Sequence, residues 1–67
     1  MRNSVRERRD DRDMTQGDLA TAVDVTRQTI NGIERGRYNP SLELAFDLAF
    51  HFDCHIEDLF EPDRDHG

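Results

Sequence analysis

A chain of 67 residues makes one small domain that hides only about 60% of its unfolded surface, too little for a cavity-type enzyme site. Neither an N-terminal apolar leader nor an apolar run long enough to cross a bilayer is present, so the expectation is a cytoplasmic protein, neither secreted nor embedded. Fifteen acids against nine bases give a net charge of −6, the wrong overall sign for a protein that approaches phosphates.

The imbalance is uneven. Residues 1–12 carry five Arg against Glu7, Asp10 and Asp11, a local +2, and residues 26–40 carry Arg27, Arg35 and Arg37 against Glu34, another +2. Residues 41–67 carry eight acids against Arg64, a local −7. All nine bases are Arg.

In chain order, the pattern predicts a first helix from Asn3 or Ser4 to Asp11 or Arg12, anchored by Val5, with Met14 following as a core residue. The stretch Thr15 to Gly36 then reads as two short helices around a tight turn. Thr15 is the N-cap of the first, and Asp18 complements its dipole. Leu19, Ala20 and Val23 form its apolar face. Gln16, at the first position, is placed to meet a phosphate. Val25 and Thr26 open the next helix, Ile30 and Ile33 make its buried seam, and Gly36 closes it in the left-handed conformation. Its outer face carries Arg27, Gln28 and Asn31, with Thr26 and Thr29 in the first turn. Arg pairs with guanine, Gln and Asn pair with adenine, and a Thr methyl can touch thymine. The plainer alternative is a solvated helix face.

Pro40 bars an earlier start for the fourth helix, so Ser41 is its N-cap. Arg35, Arg37 and Asn39 flank the preceding helix and are placed for phosphate contact. The fourth helix, Leu42 to Phe52, has Leu44, Ala45, Leu48, Ala49 and Phe52 at helical spacing. Phe46 and Phe50 lie four apart on another face, surplus to one small core. A fifth helix is expected from Ile56 to Phe60, with Ile56, Leu59 and Phe60 turned inward or towards a second subunit. Residues 61–67 have no apolar pattern and read as a frayed tail. Cys54 has no partner for an internal disulfide and reads as a small buried residue. His51, Cys54 and His55 are metal-binding types, but without a fourth ligand they fall short of a structural zinc pattern. No metal and no cofactor are expected.

Thr15-Gln16, Leu19-Ala20, Val25 to Ile30, Ile33-Glu34, Gly36 and Tyr38 to Leu42, at their fixed spacing, resemble the helix-turn-helix of the Cro/cI-type (Xre-type) repressors of bacteria and phages. Both flanking helices match as well. The resemblance implies an all-α, five-helix lambda-repressor-like domain spanning residues 1–67. It would bind double-stranded operator DNA with its third helix in the major groove, and a homodimer is expected because so small a domain has a marginal core and one recognition helix reads too few base pairs. It also implies an ion pair between Arg9 and Glu34, and an arginine stem at Arg8 where the family usually has Leu. Asp13, Asp24 and Asp53 stand where Gly is usual, at turn positions that Asp tolerates better than most residues. The helix 4 and 5 end, with Phe46, Phe50 or Phe60, is the expected dimer surface.

Two readings from other classes stay open: an antitoxin-like protein-interaction module with secondary DNA binding, and a small metal-binding protein or enzyme around His51, Cys54 and His55. The absence of Lys, the acid excess and the three turn aspartates together resemble the composition of a halophilic chain. GC-rich codon bias is the alternative source of Arg without Lys.

Overall fold

The computed structural model describes residues 2–62. A two-residue strand β1 (Arg2–Asn3) precedes five helices: α1 (Val5–Asp11), α2 (Gln16–Ala22), α3 (Arg27–Glu34), α4 (Leu42–His51) and α5 (Ile56–Leu59). A second short strand, β2 (Phe60–Glu61), follows.

The hydroxyl residues start three of the helices. Thr15 Oγ1 accepts from the Asp18 N–H at 3.0 Å, and the Asp18 carboxylate accepts from the Thr15 N–H at 3.0 Å, a complete capping box. Thr26 and Ser41 accept from Thr29 and Leu44 at 3.2 and 3.1 Å. Each such cap contributes about 1 kcal/mol. At α1 the Ser4 side chain makes no cap bond. Asn3 does the work: its Oδ1 accepts from the Val5 N–H at 3.2 Å while its Nδ2 donates to the Ile33 carbonyl at 2.8 Å. One side chain therefore starts α1 and fastens it to α3.

Four helices stop in one way. The N–H groups of Met14, Val25, Arg37 and Cys54 reach back to the carbonyls of Arg9, Ala20, Gly32 and Ala49. The residue before each is left-handed: Asp13 (φ 55°), Asp24 (φ 59°), Gly36 (φ 72°) and Asp53 (φ 54°). These are Schellman closures, and aspartate occupies three of them as the sequence suggests. Met14, Val25 and Cys54 then fold in against the core, so each stop also aims the next apolar residue inward.

The core gathers Val5 from α1, Leu19 and Ala20 from α2, Ile30 and Ile33 from α3, and Leu44, Ala45, Leu48 and Ala49 from α4, with Phe52, Leu59 and Phe60 completing it. Val23, Val25 and Ile56 pack at its margin. The five expected helices are all present, with corrections at the ends of the last two and beyond them. α4 ends at His51, with Phe52 as its C-cap, and α5 ends at Leu59. Phe60 is extended and pairs antiparallel with Asn3, as Glu61 does with Arg2. Glu61 is therefore part of the fold rather than the start of a tail, and residues 63–67 lie outside the described residues. Finally, Phe60 is buried, which withdraws it from the dimer candidates. A two-residue strand carries no periodicity, so only the approach of Arg2–Asn3 to Phe60–Glu61 in the fold reveals it.

Candidate nucleic-acid interface

Burial of Ile30 and Ile33 fixes the roll of α3 and thereby its outward face. Arg27 and Gln28, in the first turn, are exposed, and Asn31 is half-buried one turn on. Thr29 is half-buried, with its hydroxyl 3.0 Å from Thr26 Oγ1, so both hydroxyls belong to the cap network. Arg35 is the exposed C-cap of α3. Beyond it, the N–H groups of Arg37 and Tyr38 both donate to the Gly32 carbonyl, at 2.9 and 3.2 Å. That fork holds the loop bearing Arg37 and Asn39, both exposed, beside the end of α3. Among the described residues Arg27, Arg35 and Arg37 make no ion pair.

Gly32 is a site residue that sequence reasoning missed. A Cβ there would lie 3.3 Å from Tyr38 Cβ, so Gly lets the loop close onto the helix. The only signal was a Gly inside a helix, where it costs about 1 kcal/mol relative to Ala.

Behind this face lies a charged network. Arg9 Nε donates to Glu34 Oε2 at 2.8 Å, Nη2 to Oε1 at 3.2 Å, and Nη1 to the Met14 carbonyl at 2.8 Å. The Glu34 and Arg9 side chains are only 4% and 12% exposed. The hydrogen bond to Glu34 holds the Arg9 pKa above its ordinary value; burial opposes this, and the attraction of Glu34 and Asp10 adds to it. The ion pair implied by the family resemblance is thus present, bidentate and largely buried. Gln16 joins it, its Nε2 donating to Glu34 Oε1 at 3.1 Å. One Gln16 N–H is therefore spent internally, which orients its amide.

A second arginine goes unnoticed in the sequence. Arg12 donates to the carbonyls of His51 (2.9 Å) and Phe52 (3.0 Å), and its guanidinium carbon lies 5.3 Å from the centre of the Phe52 ring. It caps the C-terminus of α4, where a cation complements the helix dipole, and so ties α1 to α4.

Of the expected site residues, Gln16, Asn31 and Arg35 line one polar groove. Thr26 to Gln28 lie at the opposite end of α3 from Arg35, Arg37 and Asn39. Elsewhere, α4 leaves Leu42, Phe46 and Phe50 exposed at 70%, 57% and 88%. Phe46, Phe50, Ala49, Cys54 and Ile56 border a mainly apolar groove of about 310 Å³. His51 Nε2 lies 3.5 Å from the Met14 sulfur, and among the described residues no three His, Cys, Asp or Glu side chains are grouped to hold a metal. No described helix is long and apolar enough to cross a membrane.

A family described as helix-turn-helix matches residues 5–59. An uncharacterised helix-turn-helix type transcriptional regulator of Archaeoglobus fulgidus is 52% identical over 60 residues, covering 90% of this chain and 86% of that one. Another, from Methanothermobacter thermautotrophicus, is 50% identical over 66 residues, covering 97% and 96%. Among solved structures, the restriction-modification controller protein C.AhdI of Aeromonas hydrophila superposes with a TM-score of 0.76 at 34% identity, over 84% of this chain and 85% of that one. The match runs from α1 to α5 and includes the Thr15 to Gly36 unit, so the chain belongs to the Cro/cI-type (Xre-type) family of helix-turn-helix transcriptional regulators, with the lambda-repressor-like fold of that family.

Proposed function

We propose that the protein is a sequence-specific repressor that lays α3 in the major groove of an inverted-repeat operator. The observation that carries this reading is the exposed pair Arg27 and Gln28 at the start of α3, held outward by the buried Ile30 and Ile33. The first turn of a recognition helix is the part that reaches base edges. Arg35, Arg37 and Asn39 hold the backbone at the other end of the helix, and Gln16, oriented by Glu34, adds a neutral donor. Thr26, Thr29 and Asn31 complete the reading face.

The protein acts as a homodimer, joined through the apolar groove at Phe46 and Phe50. One recognition helix reads too few base pairs for genomic specificity, and exposed aromatics beside a groove are what a second subunit would cover. Two copies of α3 would then lie about 34 Å apart, one turn of DNA. The setting is a cytoplasm rich in salt, which the acid excess and the left-handed aspartates favour over an ordinary one.

Selection of bound fragments from genomic DNA at high KCl tests the reading. An inverted repeat is expected. Gln28→Ala should cost about 1 to 3 kcal/mol on the selected site and much less on arbitrary DNA. Unchanged sequence preference after Arg27→Ala and Gln28→Ala together would overturn the assignment. Failure to enrich any DNA, with a protein recovered on the Phe46/Phe50 face, would favour the antitoxin-like reading instead.

A further inference from the structure

A polar groove of about 450 Å³ runs between α1, the start of α2 and the end of α3, lined by Arg6, Arg9, Gln16, Asn31, Glu34 and Arg35. Its lining holds three cations against one anion, a net +2 in a chain whose total is −6. Arg9 contributes little to the outside: its donors are spent on Glu34 and the Met14 carbonyl, and Asp10 lies 3.4 Å from Nη1. The usable charge is on Arg6, from α1, and Arg35, from the end of α3.

Arg6 is held only loosely. Its Nε is 3.9 Å from Asp10 Oδ2, and the two side chains are 73% and 59% exposed. That separation exceeds hydrogen-bond length, and an exposed pair of this kind exchanges readily for a better partner. A phosphodiester oxygen is such a partner, since a guanidinium binds it through charge-assisted and often paired hydrogen bonds. The Gln16 and Asn31 amides supply neutral donors on the same lining.

We propose that Arg6 is a DNA-backbone contact made by α1. It leaves Asp10 on binding and closes, with Arg35, on one phosphate seated in this groove. The proposal rests on the DNA-binding reading above and adds a residue outside the helix-turn-helix to it. The groove is continuous with Arg35, at the edge of the reading helix, so the phosphate is one of the DNA strand rather than a separate small anion. Asp10 makes the contact self-limiting. Its carboxylate, left by Arg6, remains near Arg9 and takes up a cation as DNA gives one up, which softens the salt penalty of binding.

The test is a salt titration of binding to an arbitrary-sequence duplex, for which no operator is needed. Arg6→Ala should weaken binding at about 0.1 M KCl by about 8-fold per protomer and lower the salt slope by up to about 0.9. Arg6→Lys should retain most of the affinity, because a point charge also serves a phosphate. Asp10→Asn should tighten binding more when Arg6 is present than in the Arg6→Ala protein, because only the former also frees Arg6. An Arg6→Ala protein that binds like the wild type with the same slope would overturn the contact. Equal tightening by Asp10→Asn with and without Arg6 would overturn the exchange. If the wild type itself bound no duplex, the DNA-binding reading would fall and this inference with it. Far-ultraviolet circular dichroism of each variant should match the wild type, because both side chains lie on the exposed face of α1.

Discussion

Replacing Glu34 by Gln keeps the shape of the side chain and removes the charge that answers Arg9. The Arg9 side chain is 12% exposed and Glu34 4%, so the guanidinium would stay buried without its main counter-ion. Breaking one partner of a buried pair costs about 3 to 5 kcal/mol. Here the lower end applies, because the Met14 carbonyl at 2.8 Å and Asp10 at 3.4 Å remain. A domain of 67 residues has a total stability of only about 3 to 10 kcal/mol. A loss of ~3 kcal/mol therefore removes a large part of the whole and lowers a urea midpoint by roughly 3 M, taking a slope near 1 kcal/mol per M for so small a protein. The assay is urea unfolding followed by circular dichroism at one fixed protein concentration, since any subunit association would add stability of its own. The double variant Arg9→Met with Glu34→Leu should recover most of the loss, because an apolar pair leaves no buried charge. Its hydrogen bond to Glu34 raises the folded pKa of Arg9 above the ordinary, unfolded value. Its stabilisation is thus complete below that unfolded value and is lost only as pH rises through the higher folded one. The Glu34→Gln penalty should accordingly be equal at about pH 7 and about pH 10. A penalty under about 1 kcal/mol, the range of a surface pair, would refute the reasoning.

Arg12→Ala should cost about 1 to 2 kcal/mol in the same unfolding assay, by freeing the His51 and Phe52 carbonyls at the end of α4. Asp24→Asn keeps a side chain that tolerates φ 59° and removes a negative charge from the α2 terminus beside Asp47. It should stabilise by about 0.3 to 1 kcal/mol in dilute buffer and by less in molar KCl. Phe50→Asp, at an 88% exposed position, should leave the monomer fold intact and shift sedimentation from dimer to monomer at micromolar protein. Thermal stability of the unmodified protein should climb steeply with KCl, because the Debye length shrinks from about 10 Å at 0.1 M to about 3 Å at 1 M and screens the acidic half. Stability indifferent to KCl would remove the salt-adapted reading.

What the sequence by itself determined was everything encoded within a few residues. Thr15, Thr26 and Ser41 start their helices because a hydroxyl at that point satisfies a local N–H, and Asp13, Asp24, Gly36 and Asp53 stop them because few residue types accept a positive φ. The apolar spacing of Ile30 and Ile33 sets which face of α3 looks outward, and with it the exposure of Arg27 and Gln28. Phe46 and Phe50 could be read as surplus to the core for the same reason. Tertiary structure alone decided the contacts between distant residues. Nothing near Phe60 announces that it will lie against Asn3, nor anything near Arg12 that it will cap a helix ending 39 residues later. The Arg9 and Glu34 pair was named from family resemblance, but its depth, and the Gln16 amide drawn into it, depend on how α1, α2 and α3 pack. The groove whose lining Arg6 and Arg35 share exists only once α1 lies against α3. Caps and closures are short-range, so composition and spacing suffice to read them. Burial, groove shape and the partner of a long side chain are set by packing among all the helices at once.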